Sequence, residues 1–112
     1  MAINIGSKEA FDALINEPGA VVAIDFWAPW CGPCRTFGPM FDEAAEEIGD
    51  AAKFVKVNVD DHQDIASSHE VSSIPTVIYY KDGKIAHRAQ GIEPSEDVVK
   101  HIKKLTAEPV AK

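Results

Sequence analysis

Apolar and polar residues alternate along this chain with a period that changes several times. Residues 21–27, "VVAIDFW", are almost continuously apolar, the pattern of a strand covered on both faces. "KFVKVNVD" (53–60) sets Val55, Val57 and Val59 against Phe54, Lys56 and Asn58, and this alternation marks it as the clearest strand. "IPTVIYY" reads as a further strand. "KDGK", with Asp82-Gly83 at its centre, is a hairpin signal, so "IAHRAQ" is predicted to pair back antiparallel until Gly91 breaks it. A weaker strand is read in "AINI" near the start.

Helical spacing fills the gaps. Ser7 is placed to cap a helix running to about Asn16, with Phe11, Leu14 and Ile15 as its stripe, and "EPGA" ends it. A second helix runs from the cysteine turn to about Ile48, with Phe37, Phe41, Ala44, Ala45 and Ile48 expected in the core. Pro39 lies inside it, removes one backbone bond and is expected to kink it. A short helix is expected over 61–68. A terminal one is expected from about Ser95 to Thr106, with Val98, Val99, Ile102 and Leu105 inward, and the last residues, 107–112, frayed. Helices between the early strands imply parallel crossovers, and the late hairpin adds an antiparallel pair. The result is an α/β fold, a mixed sheet with helices on both faces. The linkers are short and show no break in composition, so residues 1–112 are read as one domain.

Composition changes little in that picture. The 112 residues are 46% apolar and 26% charged, enough to build a core without metals or disulfides. No basic start leads into an apolar stretch, so no signal peptide is expected, and no apolar run approaches the roughly 20 residues that span a bilayer. A cytoplasmic monomer is the expectation. The net charge is −7 and the 11 basic residues are scattered, which disfavours nucleic acid and anionic membrane as partners. The acidic run "DEAAEEIGD" is read as a solvated helix face.

The chemistry lies in "FWAPWCGPCRTFGP", which holds the chain's two cysteines. Two are too few for a secreted disulfide scaffold. Zinc wants four ligands, and His62, His69, His87 and His101 lack the close spacing that would complete a site, so no metal is expected. A bridge closing so short a loop removes little unfolded-state entropy, so a structural staple is a weak reading. Cys31 and Cys34, at i and i+3, are neighbours on a helix and within disulfide reach. A redox pair fits best. Cys31 falls where strand gives way to helix, where unpaired N–H groups and the helix dipole favour a thiolate. Pro33 suits the first helical turn, and Gly32 leaves Cys31 open to approach. Cys34, one turn in, is expected to be more buried and less acidic. Cys31 therefore attacks and Cys34 resolves. Asp25 ends the buried strand, where desolvation raises a carboxyl pKa and suits it to exchange protons with Cys34. The alternative is an exposed strand end or a simple ion pair, with Lys56 as the candidate partner.

"WCGPCR", preceded by "VVAIDFWAPW" and followed in order by "KVNVD", "SIPT", "YYKDGK" and the glycine after "HRAQ", resembles the thioredoxin family over about residues 3–105. The resemblance implies a mixed sheet of four to five strands flanked by four helices. It implies a cis peptide at Ile74-Pro75, and an apolar groove of Trp30, Gly32, Pro33, Ile74, Pro75 and Gly91 that receives a substrate's extended segment. Asp25 and Lys56 match a buried Asp–Lys pair, while Phe26, Trp27 and Pro39 match structural positions and are read as core packing. The implied activity is protein-disulfide reduction with no bound cofactor. The reversible Cys31–Cys34 bridge is restored by a separate flavoprotein, thioredoxin reductase, which draws on NADPH. This chain has no G-x-G-x-x-G element of its own. Rival functions are a thiol oxidant or isomerase on the same fold, and a redox-independent docking module. Ser73, where many relatives carry glycine, and the acidic "IEPSED" depart from the family pattern, and with Ser72 and Glu93 they bear on which partners dock.

Overall fold

A computed structural model describes residues 2–107. In chain order it contains β1 (Ala2–Asn4), α1 (Lys8–Ile15), β2 (Val21–Trp27), α2 (Gly32–Ile48), β3 (Lys53–Asn58), α3 (Gln63–Ser68), β4 (Thr76–Lys81), β5 (Lys84–Gln90) and α4 (Ser95–Ala107). A short 3-10 turn, Gly49–Ala51, joins α2 to β3. Ala107 thus closes the last helix, and the rest of the expected frayed end, 108–112, lies outside the described residues. No described helix is long and apolar enough to cross a membrane.

The strands form one sheet in the order β1-β3-β2-β4-β5. β1, β3 and β2 run parallel, and β4 and β5 add the antiparallel edge. Side chains alternate across a strand, and β2 divides its residues accordingly. Val22, Ile24 and Phe26 pack with Phe11 and Ile15 of α1 and Ile65 of α3. Val21 and Ala23 pack with Phe37 and Phe41 of α2 and with Val98 and Ile102 of α4. Both faces of β2 are therefore covered, which is why its run is apolar at nearly every position.

The same cover extends to β3. Phe54 is buried against Phe41, with ring centroids 5.3 Å apart. β3 lies between β1 and β2, so helices cover its alternate positions on both sides. The strand also ends at Asn58, short of Val59 and Asp60. Ile48 is only partly buried at the end of α2. Ser7 caps α1 as expected, accepting the Ala10 N–H at 3.1 Å. At the hairpin, Asp82 and Gly83 both have positive φ, 53° and 79°, the backbone of a primed turn that matches strand twist. His69 is a satisfied core histidine: its Nδ1–H donates to the Ile65 carbonyl at 2.8 Å and its Nε2 accepts from the Tyr80 hydroxyl at 2.6 Å.

Candidate active site

The alternation that buries Ile24 and Phe26 on the α1 side sends Asp25 to the opposite face, under α2. Asp25 is 2% exposed. The register sets it directly across from Lys56 on β3 and Val77 on β4. Its Oδ1 has no hydrogen-bond partner among the described residues. Burial, the largest cause, pushes its pKa up to about 7; Lys56 opposes that rise and Asp42 adds to it. A cleft of about 280 Å³ reaches this carboxyl, and Trp27, Cys34, Gly38 and Lys56 are among its walls. Asp25 and Cys34 thus share one solvent-sized space, through which a water can relay a proton.

Strand β2 ends at Trp27 and the chain turns through Ala28–Trp30 into α2. Cys31 is the N-cap of that helix, in extended backbone (φ −85°, ψ 112°), and the Cys34 N–H donates to its Sγ at 3.2 Å. Pro33 sits in the first turn, where no intrahelical N–H is needed. A helix-terminal donor aimed at sulfur stabilises negative charge there when the bond is open. Cys31 and Cys34 form a disulfide with Cα atoms 5.2 Å apart. The expectation that Cys34 lies deeper is not met in this oxidised state, where each cysteine is 5% exposed. The bridge ties the sulfurs together, and Ala28, Trp27, Val59 and Ile74 pack around both.

Distant segments complete the surroundings. The Ile74-Pro75 peptide is cis, and the Ile74 carbonyl oxygen lies 3.7 Å from Cys31 Sγ. Gly91, at φ 86°, donates its N–H to the Pro75 carbonyl at 2.8 Å, and the left-handed backbone there favours glycine. Trp30 is 67% exposed beside the bridge. Gly32 and Pro33 are exposed, Ile74 and Gly91 are half-buried, and Pro75 is buried. Ile92 adds exposed apolar surface next to Gly91.

Three placements differ from expectation. Lys56 faces Asp25 in register, yet its Nζ binds Asp42 Oδ1 at 3.0 Å. Pro39 is exposed rather than packed in the core, because the stripe of α2 is set by Phe37, Phe41, Ala44 and Ala45 and Pro39 lies on another flank. Glu93, from the acidic "IEPSED", is turned toward α4, 3.3 Å from His101 Nε2. Ser73 is exposed, and its carbonyl accepts the Thr76 hydroxyl at 2.6 Å. Trp27 is half-buried, and its Nε1 has no partner among the described residues.

Sequence reasoning missed Asp60, whose Oδ2 accepts the Trp30 indole N–H at 2.9 Å, and Asp42, hidden in a run of acidic residues read as a solvated face. Neither carried a local signal beyond its charge. Among the described residues, no group of three or more His, Cys, Asp or Glu could hold a metal ion.

The thioredoxin family profile matches residues 2–104. The chain is 43% identical over 96 residues to the thioredoxin of Bacillus subtilis, covering 86% of this chain and 90% of that one. It is 47% identical over 92 residues to the thioredoxin of Mycoplasma genitalium, covering 82% and 84%. Among solved structures, a variant thioredoxin from Halobacterium salinarum superposes with a TM-score of 0.85 at 29% identity, covering 98% of this chain and 94% of that one. Malassezia sympodialis thioredoxin does so with 0.83 at 32% identity, covering 95% and 94%. With the Cys31–Cys34 pair at the head of α2 and a matching fold, the chain belongs to the thioredoxin family of protein-disulfide oxidoreductases.

Proposed function

We propose that this protein-disulfide reductase works with Cys31 as the attacking thiolate, Cys34 as the resolving thiol and Asp25 as the proton acceptor, in one domain of the cytoplasm. Thiolates, not thiols, attack disulfides, and C-x-x-C thiols of thioredoxins as a class have lowered pKa values. In the reduced protein, Cys31 attacks one sulfur of a client disulfide. A Cys31–client bond forms, and the other client sulfur leaves as a thiolate and takes a proton from water. Asp25 then accepts the Cys34 proton through the shared cleft. The Cys34 thiolate attacks Cys31 Sγ, the second client sulfur leaves and is protonated, and the Cys31–Cys34 bridge remains. Two electrons have passed to the client. A carboxyl titrating at about 7 is matched to that task, because a base works best with its pKa near the working pH.

The observation that carries this reading is the bridge itself, capped by the Cys34 amide at the N-terminus of α2. In this reading Trp30, Gly32, Pro33, Ile74, Pro75 and Gly91 form the groove that receives an extended client segment, and the contact of Ile74 with Cys31 supports it. Thioredoxin reductase, drawing on NADPH, returns the dithiol. The test is reduction of insulin disulfides by the purified chain with NADPH and a thioredoxin reductase. Sustained NADPH oxidation dependent on the chain is expected, and none above the no-chain rate overturns the reading.

The turn between the cysteines sets the direction of electron flow. Pro33→His places an imidazole beside Cys31, where its charged form stabilises the thiolate and therefore the reduced state. The bridge is expected to become more oxidising by at least about 30 mV, a tenfold change in the exchange equilibrium. Equilibration with glutathione redox buffers measures it, and an unaltered equilibrium contradicts this role for the turn.

A further inference from the structure

The cleft that reaches Asp25 has Lys56 in its wall, and so does a larger neighbouring cavity of about 630 Å³ lined by Pro39, Asp42, Glu43 and Glu46. Lys56 therefore stands between two carboxylates. Register and strand parity direct it toward Asp25, but its ammonium is 3.0 Å from Asp42 Oδ1. The ammonium also passes close to Gly38, one turn before Asp42 on α2: a Cβ built there would lie 3.8 Å from Lys56 Nζ, in ordinary contact. The Lys56 side chain is 18% exposed and that of Asp42 54%, so the pair spans from the buried sheet to the surface.

We propose that Asp42 is a positioning residue for the disulfide exchange, which holds the Lys56 ammonium at the rim of the cleft and so keeps Asp25 from being locked into an ion pair. The proposal rests on the reading of Asp25 as the proton acceptor for Cys34. A carboxylate paired with an ammonium in a dry site stays ionised and is a poor base near neutrality. One left beside the ammonium but not bound to it can gain and lose a proton as the cycle requires.

The other groups facing Asp25 do not supply this control. β4 presents Val77 opposite it, with the buried Tyr79 on the same face, held protonated by burial. α4 contributes apolar Val98, Val99 and Ile102 to that side of the sheet. β1 contributes uncharged Asn4 to the cleft, and Arg35 of α2 is engaged by the Pro29 carbonyl at 2.9 Å. Lys56 and Asp42 are left as the charges that act. The direction is consistent, since the charge of Asp42 raises the Asp25 pKa and that of Lys56 lowers it.

Asp42→Asn keeps the shape of an exposed side chain and removes its charge. The Asp25 titration, followed by carboxyl-carbon NMR of the oxidised protein, is expected to move down by about one pH unit, a tenfold change in its protonation equilibrium. The pH–rate profile for resolution of a preformed Cys31 mixed disulfide should move down with it. In a Lys56→Met background the same substitution should shift the titration far less, because the ammonium through which Asp42 acts is gone. An unmoved titration in Asp42→Asn overturns the proposal. So does an equal shift with and without Lys56, which would make Asp42 a distant charge rather than an anchor. If instead Asp25→Asn leaves the resolution rate unchanged, the proton-acceptor reading fails, so the two failures appear in different measurements.

Discussion

Cys34→Ser is expected to stop the reaction at the mixed disulfide. The serine hydroxyl is close in size to the thiol it replaces, and the residue 34 amide still donates to Cys31 Sγ, as Cys34 does at 3.2 Å. Attack on the client therefore proceeds, but no second sulfur is available to release it. Turnover should fall by a factor on the order of a thousand or more, the scale of loss when one member of a catalytic set is deleted. Client proteins should accumulate covalently on Cys31, visible by non-reducing electrophoresis and released by dithiothreitol. This result also separates the rival functions. A docking module would keep full activity and trap nothing, and that outcome would refute the exchange mechanism. A thiol oxidant is distinguished by the equilibrium with glutathione rather than by trapping.

The second large effect is on stability. Asp25 has its pKa raised from an ordinary 3.8 to about 7 by burial. The folded state therefore holds this proton more tightly than the unfolded chain does. The stability associated with the protonated group is fully present below about pH 4 and is lost as pH rises through about pH 7, leaving an ionised, buried carboxylate above that. A difference of about three pKa units corresponds to roughly 4 kcal/mol over the whole range. Asp25→Asn has no proton to lose at this site, so this contribution to the fall in unfolding free energy is absent from the variant. Between about pH 5 and about pH 8 some two pKa units of that difference are traversed, so urea unfolding should show the wild type losing about 3 kcal/mol more than the variant. Parallel losses would mean that Asp25 titrates normally in the folded protein. The variant should at the same time resolve mixed disulfides more slowly near neutrality. More stable and slower is the combination expected of a strained functional group.

Much of the fold is legible in the sequence because local patterns and tertiary demands agree. The unbroken "VVAIDFW" run is a strand with helices on both faces, and "KDGK" is a two-residue hairpin because both central residues have positive φ. Alternation alone does not say whether the second face of a strand meets water. In β3 that face carries Phe54 into the second core layer. Pro39 fits a packing residue by sequence, but the angular position of a residue around α2 decides which side it faces, and that depends on where the sheet lies.

In the site, the order Trp-Cys-Gly-Pro-Cys determines much by itself. Two thiols one helical turn apart, with a proline that fits a first turn, can form a bridge at a helix N-terminus wherever that helix is placed. The carboxylate in an apolar strand is equally legible as an unusual acid. Its surroundings and those of the bridge were left to the tertiary structure. Ile74 reaches Cys31 across 43 residues, and Gly91 reaches Pro75 through a backbone hydrogen bond. Asp25 meets Lys56 only because β2 and β3 adopt one register, since a slip of one residue would turn Lys56 to the other face. That Lys56 then binds Asp42 depends on the distance between α2 and the sheet. Spacing along the chain determines which groups are neighbours within a turn or strand. Which of several opposite charges a flexible lysine meets is decided by packing.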